Sequence, residues 1–237
     1  MERKVYGVFV AGGHGTRMGS DVPKQFLEID GIPVLQRTIG RFLEACPEMN
    51  IITVLPKECF QLWKDLCVKH DFDFPQRLVA GGLTRFHSVK NALDAVPDGA
   101  VVMIHDGVRP LVGKGLIRNM LAQMESCRAL IPVIPVTDTL KALETGPAGD
   151  LVHSAGEDPS RSGLFCAQTP QIFYSETLKE AYSQGYDTSF TDDASVLQKK
   201  GKPLSFTLGE RLNIKITTPE DLVIASAVIS SSKQSDN

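Results

Sequence analysis

The residues best suited to chemistry stand directly behind the first apolar run. They read Ala11-Gly12-Gly13-His14-Gly15-Thr16-Arg17-Met18-Gly19, then Pro23-Lys24-Gln25. Four glycines within eight residues leave backbone N–H groups open to close approach by an anion. Arg17 and Lys24 add cationic donors for phosphate oxygens. The stretch is not a P-loop, because Gly-x4-Gly-Lys-Ser/Thr is absent. It also misses the dinucleotide fingerprint, since Met18 stands where the third glycine belongs, and this disfavours a dehydrogenase. Two cations beside a glycine loop suit a triphosphate better than a dinucleotide.

A second constellation is His105-Asp106-Gly107-Val108-Arg109-Pro110, which closes an apolar run. A carboxylate at a strand's carboxyl end is placed to hold Mg²⁺ or a ribose hydroxyl, or it is simply a turn residue. His105 reads most simply as a satisfied core imidazole. Gly81-Gly82-Leu83-Thr84-Arg85-Phe86-His87-Ser88 is another glycine pair between strand and helix, suited to ligand contacts from backbone and Ser88 or to a structural cap. Asn213-Ile214-Lys215-Ile216-Thr217 reads as a strand ending in a cap, with Lys215 an ordinary surface charge on that reading. Thr139 and Arg161 lie in a polar stretch that gives them no role by itself, and Gln168-Thr169-Pro170-Gln171 reads as a turn.

Positioning these residues falls to short apolar runs that alternate with helical patterns. Strands are predicted at 5–10, 51–55, 78–80, 101–104 and 129–133, and helices at about 33–45, 57–69, 84–95 and 114–126. Phe86, Val89, Leu93 and Val96 repeat at helical spacing behind a Thr84 N-cap. Such alternation predicts an α/β fold with a mostly parallel sheet covered by helices on both faces, and ligands beyond the carboxyl ends of its strands. The pattern breaks after Val136. Residues 137–165 hold Thr, Asp, Gly, Pro and Ser with few apolar side chains, so they read as an excursion. Sheet-like segments are predicted again at 204–208 and 212–216. Thr218-Pro219-Glu220-Asp221 then opens a last helix, with Thr at the N-cap and Pro at its first position. Residues 231–237 read as a disordered tail behind a single domain spanning 1–230.

Composition sets the outer limits. The chain has 237 residues, 25 basic and 28 acidic side chains and a net charge of −3, which argues against nucleic-acid or membrane-surface binding by bulk charge. Five Cys, an odd count with no Cys-x-x-Cys, argue against a disulfide framework and for a reducing, cytoplasmic setting. Val5–Ala11 is short for a secretory core, and no run approaches the ~20 apolar residues of a membrane span.

Taken together, AGGHGTRMG with PKQF, GGLTRFHSV, HDGVRP, TDTLK, the QTPQ turn, TDDAS and NIKITTPEDL resemble one family, the 2-C-methyl-D-erythritol 4-phosphate cytidylyltransferases of the non-mevalonate isoprenoid pathway. The resemblance runs from about residue 5 to 229. It implies a Rossmann-like nucleotidyltransferase fold with 137–165 as a protruding β-arm that clasps a second copy in a homodimer. It implies that the Ala11, Gly12, Gly13 and Gly15 backbone, with Arg17 and Lys24, holds the CTP triphosphate, and that Arg17 and Lys24 are catalytic. Gly82 and Ser88 are then cytosine contacts, and Asp106 the contact to ribose and Mg²⁺. Arg109, Thr139, Arg161, Thr169, Thr191 and Lys215 form the methylerythritol phosphate pocket, Thr139 and Arg161 reaching in from the partner. Leu83 departs from the acid frequent at its place. A ribitol 5-phosphate cytidylyltransferase would keep the CTP residues and differ in the acceptor pocket. A non-catalytic nucleotide-binding regulatory module would have no reason to keep Arg17, Lys24 and Asp106 together.

Overall fold

The computed structural model describes residues 3–13 and 22–235, with side chains of 232–235 excepted. The first half alternates as predicted. β1 (Val5–Val10) leads through a small hairpin, β2 (Glu28–Ile29) and β3 (Ile32–Pro33), to α1 (Val34–Ala45). Then come β4 (Asn50–Leu55), α2 (Phe60–Lys69), β5 (Gln76–Ala80), α3 (Arg85–Leu93), β6 (Val101–Asp106), α4 (Lys114–Gln123) and β7 (Ala129–Pro135). The second half holds the hairpin β8 (Leu143–Thr145) and β9 (Leu151–His153), then β10 (Phe165–Ala167) and β11 (Gln171–Tyr174). It ends with α5 (Ser175–Tyr182), α6 (Asp193–Lys199), β12 (Ser205–Leu208) and α7 (Pro219–Ser235).

The main sheet runs β10-β7-β11-β6-β1-β4-β5, with β12 against β7. β1, β4, β5 and β6 are mutually parallel, as are β7 and β12, while β10 and β11 run antiparallel to their neighbours. Period-two alternation sorts the side chains of β1 to two cores. Phe9 packs with Phe42, Trp63 and Met103 on the face of α1, α2 and α4, whereas Val8 packs with Phe86, Val89 and Leu178 on the face of α3, α5 and α6. All six residues of β6 are buried, and the strand is paired on both edges, to β1 and to β11. Truncating one of its side chains, as in Ile104→Ala, would cost about 2–5 kcal/mol. The end of β6 is therefore held rigidly, and it carries His105 and Asp106.

Three expectations are corrected. Residues 212–216 form no strand; the segment starts in a turn, Asn213 N–H donating to Glu210 O at 3.0 Å and Ile214 N–H to Leu212 O at 2.7 Å, and touches its neighbour through Ile216 N–H, which donates to Val108 O at 2.9 Å. The turn at 168–171 is followed by β11, α5 and α6, which were not anticipated. The last helix runs on to Ser235, so the residues read as a tail from 231 begin inside it. Its start matches: Pro219 is the first helical residue, and Asp221 accepts from the N–H groups of Thr217 and Thr218 at 2.7 and 2.8 Å.

The excursion is a hairpin apart from the main sheet. Val136 N–H donates to Leu164 O at 3.1 Å, so the chain leaves and returns at one rung. Leu143 and Leu151 remain 48% and 74% exposed, which confirms that its apolar side chains find little cover on their own domain. Asp158 ties its base together, bonding Lys141 Nζ, the Ala142 N–H at 3.2 Å and His153 Nε2 at 2.8 Å. Among the described residues no helix is long and apolar enough to cross a membrane.

Candidate active site

The loops at the carboxyl ends of β1, β5 and β6 converge because small residues permit it. Ala11, Gly81 and Gly107 each donate a backbone hydrogen bond to a neighbouring strand end, to Val54 O, Leu55 O and Val10 O at 2.9, 2.8 and 3.0 Å. A Cβ on Gly107 would meet Leu35 Cδ1 at 2.8 Å and Ala11 Cβ at 3.0 Å, so only glycine lets the two loops close. A Cβ on Gly82 would meet His87 Cβ at 2.4 Å. Ser88, buried, accepts from Gly82 N–H and donates to Thr84 O, both at 3.0 Å, which folds the glycine turn back over the start of α3. Thr84 caps that helix as predicted, its hydroxyl accepting from His87 N–H.

Between these loops lies a cleft of about 310 Å³. Of the residues singled out from sequence, Ala11, Gly12, Gly13, Lys24, Gly82, Ser88, Asp106 and Lys215 line it. Gly15 and Arg17 lie outside the described residues. Lys24 begins a single 3₁₀ turn and reaches across to Ile216 O at 3.0 Å, while its neighbour Gln25, buried, donates to Ala11 O at 2.9 Å. The turn that carries one cation thus also fixes the glycine loop.

Asp106 is the charge centre. Its Oδ2 lies 3.0 Å from Arg109 Nε and 3.2 Å from Lys215 Nζ, and its Oδ1 lies 3.9 Å from Arg85 Nε. Burial opposes ionisation, but Lys215, Arg85 and Arg109 outweigh it and hold the carboxyl well below the usual carboxylate range. His105 beside it is fully buried, and desolvation brings its pKa down to about 3. Both ring nitrogens are engaged, Nδ1 with Thr169 Oγ1 at 3.0 Å and Nε2 with Arg109 O at 3.3 Å. Thr169 Oγ1 accepts from Asp106 N–H at 3.1 Å, so its proton goes to His105 Nδ1 and the ring donates from Nε2. The imidazole is a neutral strut, as its sequence context suggested, and no general base.

Thr169 is buried in that relay. Arg109 also donates to Asn213 O at 2.8 Å, and Asn213 donates to Thr169 O at 2.8 Å, which knits the 106–109, 168–171 and 213–216 segments together. The structure does not bring Thr139, Arg161 or Thr191 to the cleft of their own chain. Thr139 and Arg161 are exposed on the arm, where Arg161 donates to Thr137 O, and exposed Thr191 precedes α6, its N–H donating to Ser195 Oγ at 3.1 Å.

Sequence reasoning passed over Arg85 and Asp193. The two form a fork at 2.9 and 2.7 Å, with Asp193 fully buried. Both sit inside motifs already noted, but an arginine after a cap and an acid at a helix start carry no signal of a partner 108 residues away.

No three His, Cys, Asp or Glu side chains gather into a metal cage among the described residues. Asp106 is the one acid in the described lining, and Mg²⁺ is commonly held by one or two carboxylates together with substrate phosphates. The donor set therefore fits a Mg²⁺ that arrives with a triphosphate.

Comparison with known proteins agrees with this geometry. The profile of IspD, 2-C-methyl-D-erythritol 4-phosphate cytidylyltransferase, matches residues 5–231. The enzyme of that name from Bacteroides fragilis is 46% identical over 94% of this chain and 98% of its own. That from Porphyromonas gingivalis is 45% identical over 98% and 100%. Among solved structures, 4-diphosphocytidyl-2C-methyl-D-erythritol synthase from Anaerococcus prevotii superposes with a TM-score of 0.76 at 26% identity, covering 96% of each chain. The Thermus thermophilus cytidylyltransferase gives 0.72 at 29%, covering 97% of this chain and all of its own. The match of the family profile over nearly the whole chain and the shared Rossmann-like fold together show that the chain belongs to the 2-C-methyl-D-erythritol 4-phosphate cytidylyltransferase family, nucleotidyltransferases of the non-mevalonate isoprenoid pathway.

Proposed function

We propose that the cleft between the Ala11–Gly13 loop, the Gly82–Ser88 turn and Asp106 is where this enzyme transfers CMP from CTP to 2-C-methyl-D-erythritol 4-phosphate, giving 4-diphosphocytidyl-2-C-methyl-D-erythritol and pyrophosphate. The observation that carries the reading is Asp106 with Arg109 and Lys215 on one oxygen and the glycine loops facing it across the cleft. A phosphate oxygen of the acceptor attacks the α-phosphorus of CTP in line. The new O–P bond forms as the bond to the bridging oxygen breaks, and pyrophosphate carries away that electron pair. The attacking oxygen is already anionic near neutral pH, so no general base is required, in keeping with the neutral, fully engaged His105.

Catalysis is then positioning and charge compensation. The Gly12, Gly13 and Gly15 N–H groups with Arg17 and Lys24 hold the triphosphate, Ala11 serving as the anchor of that loop because its own N–H is spent on Val54 O, and Lys24 and Arg17 offset charge on the α-phosphoryl oxygens. Gly82 and Ser88 frame the base, with Ser88 acting through the turn it holds. Asp106 takes the ribose and holds Mg²⁺, which supplies further charge compensation when bound. Arg109, Thr169, Thr191 and Lys215 shape the acceptor pocket, Thr169 through the relay to His105.

The enzyme works as a homodimer through the 137–165 arm. Exposed arm leucines and the absence of Thr139 and Arg161 from the described lining of their own cleft support this, since a partner's cleft would take both. Five free cysteines support a cytoplasmic home. The test is pyrophosphate release from CTP with methylerythritol phosphate against ribitol 5-phosphate. Preference for ribitol phosphate, or no release with either, would overturn the reading.

A further inference from the structure

Arg85 and Asp193 have no place in the mechanism so far, yet they border its charge centre. Asp193 opens α6 and is fully buried. Its Oδ1 accepts from Arg85 Nη1 at 2.9 Å and Tyr182 OH at 2.6 Å, and its Oδ2 accepts from Arg85 Nη2 at 2.7 Å. Such a buried pair is weak evidence for stability, because well-packed apolar side chains of like volume serve as well or better. The arrangement instead imposes direction. Both terminal nitrogens of Arg85, a residue of the cleft lining, are bonded to Asp193, while its Nε lies 3.9 Å from Asp106 Oδ1. At that distance Arg85 supports the negative charge without a hydrogen bond. The two oxygens of Asp106 are thereby made unequal. Oδ2 is engaged by Arg109 and Lys215, whereas the cation nearest Oδ1 among the described residues, Arg85, stands beyond hydrogen-bond distance.

We propose that Asp193 is a positioning residue for CMP transfer: by holding both terminal nitrogens of Arg85, it keeps that guanidinium from closing on Asp106, so that Oδ1 stays available to the nucleotide. An unrestrained arginine beside a carboxylate forms a two-bond fork with it, and a fork onto Asp106 would compete with CTP. The inference rests on the reading of the cleft as the CTP site, and wild-type turnover of CTP with methylerythritol phosphate tests that reading separately.

The decisive experiment is steady-state kinetics on Asp193→Asn and on Arg85→Gln/Asp193→Asn, with folding checked by circular dichroism. The asparagine keeps the shape but satisfies only one arm of the guanidinium. It should raise the KM for CTP about tenfold, at the low end of what losing an outer partner costs a ligating group. The kcat at saturating CTP and the KM for the acceptor should stay close to wild type. The double variant, which removes the freed arginine as well, should recover most of the CTP affinity. A purely structural pair would lower thermal stability without this split or this recovery. If Asp193→Asn does not fold, Asp193→Glu carries the test. It keeps the buried charges paired but shifts the carboxylate by one methylene and so breaks the fork that holds both arms of Arg85, and the same rise in KM for CTP is expected. A wild-type KM for CTP in the folded Asp193→Asn or Asp193→Glu variant would overturn the proposal, as would a double variant no better than Asp193→Asn. Wild-type enzyme that turns over no CTP would remove the premise itself.

Discussion

Lys24 Nζ donates a hydrogen bond to the backbone carbonyl of Ile216 at 3.0 Å. Ile216 follows Lys215, so the lysine proposed to hold the triphosphate is tied to the segment whose Lys215 is proposed for the acceptor pocket. Lys24 makes this contact at the cleft wall rather than in the apolar core. Lys24→Ala is therefore expected to fold normally and to lose about 10²-fold or more in turnover, the cost of removing one charge-stabilising donor. Near-normal kcat in the folded variant would remove Lys24 from the catalytic set.

Gly82 is predicted to tolerate no side chain. A Cβ there would meet His87 Cβ at 2.4 Å and the His87 carbonyl carbon at 3.0 Å. Gly82→Ala must shift the turn that Ser88 holds, at a cost on the order of 1–3 kcal/mol typical of overpacking. The KM for CTP should rise with the melting temperature falling, both read on the same preparation. Unchanged values for both would mean the turn is not part of the nucleotide frame. The same frame, about 310 Å³ in all, should admit CTP and turn away ATP and GTP. Comparable turnover of a purine triphosphate would sink the pocket assignment.

Much of this was legible in the sequence, and the parts that were not share a cause. Val101–Ile104 and Phe86–Leu93 declared themselves because runs and helical repeats there are long enough to show a period. The helices α5 and α6 are eight and seven residues long, too short for a period to emerge from background, and α6 is defined chiefly by its capping box between Asp192 and Ser195. At 212–216 the alternation Leu212, Ile214, Ile216 imitates a strand. The structure uses it differently, burying Ile216 while the adjacent backbone bonds Lys24 and Arg109. The glycine loops and Asp106 were readable because paired glycines and an acid placed directly behind an apolar run mark the ends of strands. The Arg85–Asp193 fork was not, because it depends on a contact spanning 108 residues.

The clip at the base of the arm gives a pH prediction. The carbonyl of Ser154, together with the carboxylate of Asp158, raises the pKa of His153 above its ordinary 6.5. The protonated ring is the better partner, so its contribution to arm order is fully present below about 6.5 and is lost as pH rises through the raised value. An NMR titration of the His153 ring should show the raised midpoint, and Asp158→Asn should bring it back toward the ordinary value. No change on that substitution would mean that Asp158 does not engage the ring in solution.

The arm also sets a test of subunit sharing. If Arg161 serves the partner's cleft, Arg161→Ala and Lys24→Ala damage one site from different chains. In a mixed dimer one site then carries both lesions and the other neither. About half of the randomly exchanged molecules are such hybrids with one working site, so up to roughly a quarter of wild-type activity should return on mixing. No recovery after exchange has been verified would place Arg161 in its own subunit's work or in none.

The chain enters and leaves the arm at a single rung, Val136 to Leu164. Residues can therefore be added to or removed from its tip without changing the register of any strand in the main sheet. The arm is free to diverge while the sheet is not. If the arm joins two copies as proposed, two members of the family sharing one cell would sort into like pairs by their arms, each evolving its own handshake over an unchanged catalytic floor.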